Sequence, residues 1–127
     1  MIIGAQCSTD KNGLMGCLRT VKKNGGNALQ IHLGLSYSTT TSTKQKIHLT
    51  TRERKEVKDY IKKNDIKLII HASYTLNFCN PIGHGYFDWA IDNLVYDLNL
   101  GNSIGAKSCV IHLGSYKTKK IDIKRSE

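Results

Sequence analysis

The chain has 127 residues, 39% hydrophobic and 23% charged, and its 19 Lys and Arg against 10 Asp and Glu give a formal net charge of +9. That length suits one modest domain rather than two, with enough apolar content for a core. No run of about 18 unbroken apolar residues argues for a membrane span, and MIIGAQCSTD lacks the charged and long apolar regions of a signal peptide, so a soluble intracellular protein is expected.

In chain order, residues 1–6 (MIIGAQ) suit a short first strand. Leu14, Cys17, Leu18 and Val21 then recur at helical spacing and predict one apolar stripe, ended by KKNGG with basic side chains in the last turn and glycines beyond. Residues 28–33 (ALQIHL) predict a second strand, and the polar run SYSTTTSTKQK a long loop. Thr50 and Glu53 have capping-box spacing. The helix they open, to about Lys63, carries Val57, Tyr60 and Ile61 on its apolar side. Residues 67–71 predict the third strand. Past Pro81, the residues Phe87, Ile91, Leu94, Val95 and Leu98 mark the apolar face of a third helix. Residues 108–112 predict the fourth strand, and KTKKIDIKRSE at 117–127 is a basic tail too polar for a core.

Cys7, Cys17, Cys79 and Cys109 are scattered without a CxxC, so neither a zinc ribbon nor a disulfide framework is indicated and reduced, core-filling cysteines are expected. The charge is uneven: residues 1–63 carry a net +8, residues 64–116 a net −2 and residues 117–127 a net +3. A field of that sign attracts polyanions, or simply solvates the surface. Lysine outnumbers arginine 15 to 4, a bias that also follows from AT-rich coding.

The order βαβαβαβ implies a parallel sheet with right-handed crossovers. Three strands end alike, in LQIHLGLSY at 29–37, LIIHASYTLN at 68–77 and CVIHLGSY at 109–116, so His32, His71 and His112 stand 39 and 41 residues apart at equivalent carboxyl ends. In open α/β sheets and in (β/α)8 barrels that edge binds ligands. Adjacent strands lie about 4.8 Å apart, so two such imidazoles can point at one metal ion. Neutral imidazole suits zinc, and manganese or iron less selectively; the alternative is a hydrogen-bonded pair capping the core. His71 and His112 are the candidate ligands, but no acidic residue near either strand end offers a third. His32 reads as a rim histidine, His48 and His84 as surface residues, and Tyr74 either stacks on a ligand or covers the rim.

IGAQCST at 3–9, GGNALQIHL at 25–33, IIHASYTLN at 69–77 and IGAKSCVIHLGSY at 104–116 together resemble endonuclease IV, the zinc-dependent apurinic/apyrimidinic endonuclease family of DNA base-excision repair. The most specific part is HxSYxxN followed by a hydrophobic-HxGSx strand. The resemblance implies a partial TIM (β/α)8 barrel of about four parallel strands and three intervening helices, with residues 1–116 as its N-terminal half. It implies hydrolysis of the phosphodiester 5′ to abasic sites in DNA, with zinc at the carboxyl-end face. His71 and His112 match two metal histidines that share one zinc, and Tyr74 matches a tyrosine that engages abasic DNA. No residue of this chain is singled out as the catalytic base.

Three departures stand out. Gln6 occupies a position where the family usually has a histidine, and Tyr37 falls near one usually held by a DNA-inserting arginine; Lys44 and Lys46 are candidate phosphate contacts instead. The family's remaining carboxylate and histidine ligands have no counterpart here. The expected states are therefore a product of a split or decayed gene, a half completed by a separately encoded C-terminal piece or by a second copy, or a small self-closed domain. The function is an abasic-site endonuclease, a catalytically inactive basic DNA-binding remnant, or a metal-dependent sugar isomerase or epimerase of the xylose-isomerase-like group. The +9 charge and the HxSYxxN loop speak against the last.

Overall fold

Among the described residues strand and helix alternate: β1 (Gly4–Gln6), α1 (Gly13–Lys23), β2 (Ala28–Ile31), α2 (Thr51–Asn64), β3 (Lys67–His71), α3 (Gly85–Ile104) and β4 (Ser108–Val110). The computed structural model describes residues 1–9, 13–33, 47–79, 82–83 and 85–114, so the polar run 36–46, Pro81, His84 and the tail 117–127 lie outside the described residues. The strands form one sheet in the order β1-β2-β3-β4, every pair parallel, which is the predicted partial-barrel topology. Three of them are shorter than the apolar pattern suggests. β1 starts at Gly4 rather than Met1, and β2 and β4 stop before His32 and His112.

Period-two alternation decides which face each strand residue serves. Leu29, Ile31, Leu68 and Ile70 are buried under the helices, in one cluster with Leu14, Leu18, Val57, Ile61, Leu100 and Ile104. Each fully buried aliphatic of this kind stabilises the fold by roughly 1.5–3 kcal/mol. The alternate residues Gln30, Ile69 and His71 are half-buried and line the opposite, inner face.

Helices α1 and α2 bury the predicted stripes: Leu14, Cys17, Leu18 and Val21 in α1, Val57 and Ile61 in α2, with Tyr60 packed at the edge. The capping box is present. Thr50 Oγ1 accepts from the Glu53 amide at 3.2 Å, and the Thr50 amide donates to Glu53 Oε2 at 2.7 Å. Helix α3 differs from the sequence reading. Its buried side is Ala90, Asn93, Asp97, Leu100, Gly101 and Ile104, whereas Ile91, Val95 and Leu98 are 37%, 48% and 45% exposed. Close approach to β3 is the reason. A Cβ on Gly101 would stand 2.9 Å from Ile70 Cγ1, so the helix approaches the sheet closely there, with Leu100 and Ile104 packed into the core and Ile91, Val95 and Leu98 turned outward.

The cysteines also differ from expectation. Cys7 and Cys17 form a disulfide, with Cα atoms 6.0 Å apart, while Cys79 and Cys109 are free and half-buried. Folding brings the residue after β1 beside the buried face of α1, a proximity that a separation of 10 residues does not announce.

Candidate metal centre

Because the sheet is parallel, all four strands deliver their last residues to one rim. Register pairs Gln6 with Gln30 across β1 and β2, and Ile31 with Ile70 across β2 and β3, so His32 and His71 follow side by side. Their rings stack with centroids 4.7 Å apart. His71 pairs with Val110 in the ladder, and His112 stands two residues above Val110. Its ring lies 5.1 Å from that of His71, and the two Nε2 atoms approach to 2.9 Å.

Those nitrogens aim at each other from neighbouring strands, as the shared-ligand reading of His71 and His112 requires. Two ligands of a tetrahedral zinc, each about 2.0–2.1 Å from the ion, would sit about 3.3 Å apart, so small ring rotations suffice. Burial, and then the neighbouring His32 and His112, hold the His71 imidazole below its ordinary pKa. It is therefore neutral at pH 7, the form that ligates a metal. The donor set fits part of a zinc site: among the described residues no group of three His, Cys, Asp or Glu could hold an ion.

Two glutamines complete the row. Gln6 Nε2 lies 2.9 Å from His32 Nε2, and Gln30 Nε2 lies 2.7 Å from His71 Nδ1 and 3.5 Å from Gln6 Oε1. The role of Gln30 escaped the sequence reading. Its signal was available, since Gln30 and His32 are the two polar residues of ALQIHL and alternate onto one face.

The two motif loops dock beside the row. Phe78 N–H donates to Leu113 O at 3.2 Å, and Gly114, at φ 108°, lies so close to Asn77 that a Cβ would overlap its side chain. The glycine of HxGSx thus admits the asparagine of HxSYxxN. Tyr74 sits in the turn beyond β3 on the same rim, 45% exposed. Tyr86 and Trp89, not singled out in the sequence, add an exposed aromatic pair there, and Tyr86 donates to Thr75 O at 3.0 Å. Lys44 and Lys46 lie outside the described residues.

Much of the basic charge is elsewhere. Each helix runs back against its strand, so Lys22 and Lys23 of α1 and Lys62 and Lys63 of α2 end at the opposite rim, where they complement helix C-termini. Lys67 joins them, paired to Asp65 at 2.6 Å, and Arg52 and Lys55 pair with Glu56 and Asp59 along α2. Among the described residues no helix is long and apolar enough to cross a membrane.

No family model matches the sequence. Individual proteins do. The "Putative endonuclease 4" of Acanthamoeba polyphaga mimivirus is 32% identical over 114 residues, covering 88% of this chain and 35% of that protein. The "Probable endonuclease 4" of Mycoplasmopsis agalactiae is 35% identical over 107 residues, 84% of this chain and 36% of that one. That of Pediococcus pentosaceus is 27% identical over 118 residues, 91% and 38%. The chain therefore spans a little over a third of the length of the curated relatives it matches. Among solved structures, the crystal structure of AsfvAP:AG superposes with a TM-score of 0.65 at 15% identity, over 89% of this chain and 39% of that one, which bears on the fold alone. Over nearly its whole length the chain resembles part of an endonuclease 4, and its four parallel strands with three helices are a partial TIM barrel.

Proposed function

We propose that residues 1–116 supply the first β/α units of a zinc-dependent endonuclease that hydrolyses the DNA phosphodiester 5′ to an abasic site. The observation that carries this reading is the convergence of His71 and His112 Nε2, 2.9 Å apart at the carboxyl rim of a parallel sheet. Zinc there would supply a hydroxide nucleophile at neutral pH and positive charge for the phosphate oxygens. His71 and His112 would hold it, Tyr74 would meet the DNA from the adjoining turn, and Lys44 and Lys46 would contact phosphates. The remaining ligands come from the rest of the barrel, whether continuous with this segment or a separately encoded half. The outward aliphatics Ile91, Val95 and Leu98 of α3, with Val110 and Leu113 at the β4 edge, 39% and 74% exposed, support a continuation on that side.

The test uses a duplex carrying one abasic analogue and excess zinc. The chain is present alone or mixed with a polypeptide spanning the remainder of the mimivirus relative. The expected result is about one bound zinc, lost in His71→Ala, with chelator-sensitive nicking 5′ to the lesion only in the mixture. A chain that binds no zinc, or zinc bound equally by His71→Ala, would overturn the metal assignment.

The grouping of only two ligands among the described residues favours one second reading, a non-catalytic DNA-binding remnant. It predicts no nicking in any mixture, with DNA affinity that falls steeply with salt.

A further inference from the structure

We infer that Gln30 selects which nitrogen of His71 carries the proton, and so decides whether the His71–His112 pair is closed on itself or open to a cation. The inference rests on the metal reading for its consequence, though not for its geometry.

A glutamine nitrogen can only donate, and a neutral imidazole has one N–H and one lone pair. With Gln30 Nε2 at 2.7 Å, His71 Nδ1 must accept, so the ring proton resides on Nε2. That proton is then the one donated to His112 Nε2 at 2.9 Å. The amides and imidazoles point one way: Gln6 Nε2 donates to His32 Nε2, Gln30 Nε2 to Gln6 Oε1 and His71 Nδ1, and His71 Nε2 to His112 Nε2. In this closed arrangement the lone pair of His71 Nε2 does not exist, and that of His112 is engaged.

Opening the pair moves the His71 proton from Nε2 to Nδ1, which then needs an acceptor. A half-turn of the Gln30 amide presents Oε1 at the place Nε2 holds. The turn gives up the contact to Gln6 Oε1 at 3.5 Å and sets two carbonyl oxygens facing each other there, so the closed arrangement is favoured until a cation binds. Metal-binding histidines characteristically donate their distal N–H to such a neighbour, and losing it costs about 10–100-fold in affinity. Gln30 is thus a positioning residue: as it lies its amide favours the proton on Nε2, and it supports a proton on Nδ1 only after turning over.

The experiment records long-range proton–nitrogen correlations of the imidazoles in the 15N-labelled 127-residue chain, zinc-free and zinc-titrated, beside Gln30→Leu and Gln30→Glu. The zinc-free chain should show His71 protonated at Nε2, with the proton at Nδ1 after zinc is added. Gln30→Glu, which can only accept, should place the proton on Nδ1 before any metal arrives and bind zinc at least as tightly. Gln30→Leu should bind it about 10–100-fold more weakly. A zinc-free chain already protonated at Nδ1, or a Gln30→Glu chain unchanged at Nε2, overturns the inference, and the unaltered chain decides if both variants fail to fold. Zinc bound with no response to either variant sinks the role of Gln30 and leaves the metal site standing. A tautomer that obeys Gln30 in a chain that never binds zinc does the reverse.

Discussion

Helices α1 and α3 cover the same sheet but differ in what they leave outside. α1 turns its aliphatics inward, with Leu14, Leu18 and Val21 all buried. α3 approaches β3 closely at Gly101, buries Leu100 and Ile104 together with Asn93 and Asp97, and leaves Ile91, Val95 and Leu98 facing out. The aliphatics of the first helix are all satisfied by the residues described; the last helix carries a second apolar stripe that none of them buries. The apolar stripe of a helix names where hydrophobic contact is needed, not which neighbour supplies it.

The largest effect that would sharpen this contrast is at Leu18. Leu18→Ala empties a site of 0% exposure in α1 and should cost about 2–5 kcal/mol in urea unfolding. Next comes Gly101→Val, which drives a branched side chain against Ile70 and should cost about 1–3 kcal/mol, more than any gain in helix propensity over glycine returns. A neutral result would mean that α3 does not approach β3 so closely. The smallest effect is expected at Val95→Lys, within about 0.5 kcal/mol for the chain alone. A loss as large as that at Leu18 would show that the outer stripe is already covered, and would break the comparison.

The sequence disclosed more of the sheet than of the helices' surroundings. Apolar runs ending in His32, His71 and His112 were enough to place three imidazoles at one rim, because in a parallel sheet equal positions along successive strands coincide in space. Capping of α2 was legible for a similar reason: Thr50 and Glu53 interact across one turn, a local matter. What was not legible depends on distant partners. The more hydrophobic stripe of α3 runs through Ile91, Val95 and Leu98, yet close approach to Ile70 at Gly101 turns the side of Ala90, Leu100 and Ile104 inward. The Cys7–Cys17 link follows from how β1 feeds into α1, and no spacing rule predicts it. Gln30 has no role in the apolar pattern of ALQIHL, although its alternation with His32 marks both as inner-face residues.

Parallel pairing also has a kinetic side. Gly4 meets Ala28, Leu29 meets Leu68 and Ile70 meets Cys109, so no strand pairs with a segment close behind it. Every rung requires a loop of tens of residues to close first, an entropic toll that slows folding relative to hairpins or helix pairs. The spatial order of strands equals their order of synthesis, however. A nascent chain can therefore add each strand to the one already placed, from the first to the last, without waiting for a later element to insert between earlier ones.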